Sequence, residues 1–72
     1  MLLATEEFAM NDGVSHQTIG IIKMFDVAVR KMDKPGTDVD EAVMHSTTDS
    51  MEYVVSGTNG GQVVVAIVVA RE

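Results

Sequence analysis

Residues 62–70 read Gln62-Val63-Val64-Val65-Ala66-Ile67-Val68-Val69-Ala70, and the fold turns on how that run is covered. β-Branched residues dominate it, and after Gln62 no position is polar until Arg71. A strand with one wet face alternates apolar and polar residues; this one does not, so both of its faces require cover. At a sheet edge it would template aggregation, because no charge interrupts it. The run therefore predicts a central strand.

Its neighbours follow from the flanking sequence. Gly57-Thr58-Asn59-Gly60-Gly61 precedes it, and Asn59-Gly60 suits the two positive-φ positions of a type I′ hairpin turn. Such a turn sets Thr58 opposite Gly61, Val55 opposite Val64 and Met51 opposite Val68. The first arm, Ser50–Ser56, alternates Met51, Tyr53 and Val55 with Glu52 and Val54. The other flank of the central strand is assigned to Leu2–Phe8. Its alternation is weak and compatible with a short helix, and the strand reading is preferred.

The clearest helix spans Val14 to Asp33. Thr18, Ile21, Phe25, Ala28 and Met32 recur at helical spacing, widened by Ile22 and Val29. Asp12 or Ser15 can cap its start, and Arg30, Lys31 and Lys34 suit its negative end. Lys34-Pro35-Gly36 stops it. Ile19, Met24 and Val27 are apolar but lie off the stripe, which points to a second contact surface. A second, short helix is expected from Asp38 to His45, with Thr37 as N-cap and Asp38, Asp40 and Glu41 in its first turn. Ser46-Thr47-Thr48-Asp49 reads as loop.

These elements give a single α+β domain over residues 1–72. It is a small three-stranded, mostly antiparallel sheet in β-α-α-β-β order, with one long helix packed on one face. The other face has no cover within the chain, so a homodimer is expected. Size supports association: with 72 residues the chain buries about 60% of its unfolded surface, and it has no cysteine to staple the remainder.

Composition excludes several function classes. A net charge of −6 with only five Lys and Arg argues against direct nucleic-acid binding. The absence of Cys excludes thiol catalysis and Cys-based zinc sites. The apolar runs are too short for a membrane span, and Glu6-Glu7 after a short apolar start is unlike a secretory signal, so a cytoplasmic location is expected.

Candidate chemistry is sparse. Asp38, Glu41 and His45 would share one face of the second helix, as metal ligands do, but capping and dipole physics select the same residues. His45, Ser46 and Asp49 hold the residue types of a hydrolytic triad, and Ser15-His16 is a second Ser/His pairing. No nucleophile elbow accompanies either serine. Gly57, Gly60 and Gly61 lack the lysine and helix of a phosphate loop and read as a turn. Six methionines, Met24 among them, are compatible with core filling or with an adaptable binding surface.

The function expected from these features is that of a small acidic protein–protein interaction module. It self-associates, has no catalysis and needs no cofactor. Its partner surface is assigned to the helix flank Ile19, Met24 and Val27, or to the exposed face of the Val63–Val69 strand as its rival, and to the acids Asp38, Asp40 and Glu41. One alternative is an acidic inhibitor, of the type phages carry, that imitates nucleic-acid charge and blocks a DNA- or RNA-binding protein. Another is a small ligand- or metal-binding protein with its site at a subunit interface.

Overall fold

A computed structural model describes the backbone of residues 2–9 and 14–71, and the side chains of residues 5, 6 and 20–71. Among these residues the order is β1 (Leu2–Ala9), α1 (Val14–Lys31), β2 (Asp38–Ser46), β3 (Ser50–Asn59) and β4 (Gln62–Arg71). The strands form one sheet in the order β1-β4-β3-β2. β1 runs parallel to β4, whereas β3 is antiparallel to both β4 and β2. The sheet is thus mixed, with β4 and β3 inside and β1 and β2 at the edges.

β4 takes an interior position because its apolar run has ladder partners on both sides. Val64, Ala66 and Val68 on one face are fully buried. They meet Phe25, Ala28 and Val29 of the helix, and Val55 of β3 completes the cluster. Burying a Val or Phe side chain contributes about 1.5–3 kcal/mol. With so few large residues, the cluster is a thin core that tolerates little loss.

The helix lies over β1 and β4, not over the middle of the sheet. It ends in a Schellman-type cap. Asp33 takes the left-handed conformation at φ 59°, the Lys34 N–H donates to the Val29 carbonyl at 2.7 Å, and the Asp33 N–H donates to that of Arg30 at 3.1 Å. Of the expected start caps, Asp12 and the side chain of Ser15 lie outside the described residues.

The structure corrects the expected fold in three respects. The sheet has four strands and is mixed, not three-stranded and mostly antiparallel, and it is served by a single helix. The second helix does not form: Asp38–Ser46 is the strand β2, and the chain order is β-α-β-β-β. An eight-residue helix nucleates poorly and here would bury only Val39, Ala42 and Val43. As a strand, the same residues supply β3 with a second hydrogen-bonded ladder, on the side away from β4. Thr48-Asp49 forms the connecting turn, closed where the Thr47 N–H donates to the Ser50 carbonyl at 2.9 Å.

The β3–β4 hairpin also turns one residue later than expected. Asn59 pairs with Gln62, so Val55 faces Ala66 and Met51 faces Ala70. Gly60 and Gly61 take the positive-φ positions, at 57° and 81°. Two glycines meet that demand at less steric cost than Asn-Gly. Asn59 is thereby released to tie the hairpin to the loop after the helix. Partners change by two residues, so every side chain keeps its expected face.

Candidate functional site

Among the described strands β2 stands out as open. All nine of its residues are exposed, and among the described residues one flank of the strand has no ladder partner. Three of its large apolar side chains stand in solvent: Val39 and Met44 are each 51% exposed and Val43 is 43% exposed.

The ladder with β3 determines how this edge presents itself. Antiparallel pairs alternate between those that exchange backbone bonds and those that do not. The Thr47–Ser50 bond sets the phase. His45 and Val43 therefore direct their backbone groups to Glu52 and Val54 of β3. Ala42, Met44 and Ser46 direct theirs outward, to the open edge.

The two faces of β2 differ. Val39, Ala42, Met44 and Ser46 lie on the helix side, opposite Gly57, Val55, Tyr53 and Met51. Because the helix is displaced toward β1, it buries Val55 of β3 but leaves β2 exposed along its length. The result is an apolar groove of about 230 Å³ lined by Ile21, Ile22 and Phe25 from the helix, Val39 and Ala42 from β2, and Tyr53 and Val55 from β3. Ile22, expected within the core stripe, is 59% exposed at the rim of this groove. Tyr53 is half-buried in it, and burial raises its phenol above the ordinary value of 10.0.

On the helix-free face Val43, Val54 and Ile67 lie side by side in register across β2, β3 and β4. A bulge at Asp40 interrupts this face near the start of β2, because Val39 pairs with Gly57 and Glu41 with Ser56. The Asp40 carboxylate accepts a hydrogen bond from Thr58 Oγ1 at 2.5 Å. Asp38, opposite Thr58, and Glu41, opposite Ser56, stand on the same face. The bulge thus gathers the three acids at one end of the edge strand, and His45 occupies the other end.

The remaining residues singled out from the sequence are placed as follows. Met24 is half-buried and packs against the core cluster, and Val27 is half-buried. The side chain of Ile19 lies outside the described residues, as do those of Ser15 and His16. Glu41 and His45 were expected one helical turn apart. On a strand they are separated by about 13 Å. Among the described residues no three His, Asp or Glu side chains are close enough to hold a metal ion. His45 and Ser46 are consecutive in a strand and point to opposite faces, so they do not meet as a nucleophile and base would.

Ile22, Val39 and Val43 are not singled out as partner-contacting residues by the sequence, and Met44 only as one of the methionines compatible with a binding surface. Their exposure follows from the helix offset and from β2 being a strand, and neither leaves a local signal. Among the described residues no helix is long and apolar enough to cross a membrane. Comparisons with protein-family models, with curated proteins and with solved structures find no match to this chain.

Proposed function

We propose that the chain works as a small acidic protein–protein interaction module whose working surface is the β2 edge, and that it self-associates. The observation that carries this reading is the strand β2, exposed along its whole length, with Val39 and Met44 in solvent on the side of the apolar groove and Val43 in solvent on the other face. An open strand recognises partners by adding a further strand, with backbone bonds giving affinity and alternate side chains giving selectivity.

The test is molar mass in solution by light scattering at two concentrations, for the parent chain and for Val43→Lys. A dimer that Val43→Lys converts to monomer, with an unchanged circular dichroism spectrum, supports the reading. A parent chain that is monomeric at both concentrations overturns self-association. Loss of the dimer with Val27→Glu but not with Val43→Lys would move the interface to the helix flank of Ile19, Met24 and Val27.

One observation favours a second reading, inhibition by charge mimicry. The Asp40 bulge brings Asp38, Asp40 and Glu41 to one face and one end of β2. A basic, nucleic-acid-binding partner would be held there through carboxylates, in a salt-sensitive way. Capture of such a partner that survives the triple change to Asn and Gln would exclude this cluster as the cause.

A further inference from the structure

We propose that β2 pairs with β2 of a second copy, antiparallel, about a two-fold axis at Val43, and that this joins the two sheets into one of eight strands. The inference rests on the self-association reading above and adds its register, its contacts and the occupant of the groove.

Only certain registers are symmetric. An antiparallel pair related by a two-fold places some residue directly opposite itself. The outward backbone groups of β2 belong to Ala42, Met44 and Ser46, and the bulge at Asp40 ends the regular stretch. With the axis at Val43, Ala42 faces Met44 of the second copy, and each exchanges both of its free backbone bonds. By symmetry Met44 faces the second copy's Ala42, so four hydrogen bonds close around the axis.

Side chains agree with this register on both faces. On the helix-free face Val43 meets Val43, and the row of Ile67, Val54 and Val43 continues into its own symmetry mate as one apolar band. Next to it Glu41 faces His45 of the second copy, so each carboxylate gains an imidazole N–H donor. The acidic end of one strand thereby lies against the non-acidic end of the other, and the two acid clusters stay apart. Moving the axis to Ala42 would set Glu41 against Val43 and Met44 against the bulge. Moving it to Met44 would set His45 against Val43 and Glu41 against Thr47.

On the helix side, Met44 of the second copy stands beside Ala42, at the mouth of the groove lined by Ile22, Val39 and Tyr53. A flexible thioether is suited to fill such an irregular apolar space. The two helices lie on the same side of the joined sheet, so both grooves receive a methionine.

The chain has no cysteine, so a single Cys variant reports the register without background. Val43 would sit in a non-hydrogen-bonded pair, with Cα atoms about 4.5 Å apart, within disulfide range. Val43→Cys should therefore form a covalent dimer on mild oxidation at concentrations where light scattering shows a dimer. Val63→Cys, more exposed than position 43 but on an interior strand, should not. A second arm tests the charged pair. Glu41→Lys and His45→Glu should each weaken dimerisation about fivefold, and the double exchange should restore it. A dimeric parent whose Val43→Cys variant does not cross-link, or whose charge variants act additively, overturns the register but not self-association. A monomeric parent overturns both, and the bulge and acids of β2 are then a guard against edge-to-edge pairing.

Discussion

The side-chain amide of Asn59 reaches the carbonyl oxygen of Lys34, 25 residues earlier, at 3.3 Å. The same nitrogen lies 3.1 Å from the Pro35 carbonyl and 3.2 Å from Thr37 Oγ1. The turn end of the β3–β4 hairpin is thus fastened to the loop between the helix and β2. Thr37 reinforces the loop by donating to the Lys34 carbonyl at 2.6 Å. This clamp positions the start of β2, and with it the bulge and the three acids.

Asn59→Ala removes a donor that serves three acceptors and should cost about 1–2 kcal/mol, since a net hydrogen bond contributes about 0.5–1.5 kcal/mol. Asn59→Asp should cost more, because a carboxylate would face two carbonyl oxygens with no proton to offer. Urea denaturation of the three proteins checks the order. Equal stability of Asn59→Asp and the parent would show that the clamp contributes nothing.

Asp33 occupies the left-handed position that closes the helix, at φ 59°. Glycine adopts that conformation without steric cost, and Asp adds a negative charge at the negative end of the dipole. Asp33→Gly should therefore stabilise the fold by about 0.5–1 kcal/mol, even though glycine loses more entropy on folding. Thermal melting is the check, and an unchanged or lowered midpoint would contradict the capping account.

How far the sequence reaches is clear from particular residues. The unbroken run Val63–Ala70 carries its own instruction, and β4 does lie between β1 and β3. The stretch 38–46 misleads, because Thr37, Asp38, Asp40 and Glu41 are also the residues that start a helix. Its strand conformation depends on β3 needing a partner, a non-local requirement. Ile22 belongs to the core stripe by spacing, yet the helix sits over β1 and β4 and leaves it in solvent. The acids of the candidate site were visible as charge. Their convergence was not, because a bulge is a property of the paired strands.

Gly57 marks a close approach of β3 to the chain entering β2. A Cβ at this position would run into the Asp38 carbonyl oxygen and stand 2.8 Å from Thr37 Cγ2. Backbone cannot move aside as a side-chain tip can. Gly57→Ala should cost about 1–3 kcal/mol and loosen Asp38 and Val39 first. Hydrogen exchange should show that end of β2 opening while β4 keeps its protection. Full protection at Asp38, whose backbone faces Thr58, would argue that the strands separate without consequence.

Tyr53 is the single tyrosine, so its titration can be followed directly by phenolate absorbance. Burial in the groove raises its folded-state pKa above 10.0, while the unfolded chain titrates at the ordinary value. Below that value both states hold the proton and stability does not depend on it. Between the two values the unfolded chain has already released the proton, so stability falls as pH rises and levels off above the folded value. Tyr53→Phe should remove this part of the alkaline slope. If Met44 of a second copy closes the groove, the Tyr53 midpoint should also fall when Val43→Lys separates the copies, because water then reaches the ring. A midpoint identical in the parent, in Val43→Lys and in denaturant would mean that the groove is wet throughout, and nothing is seated on it.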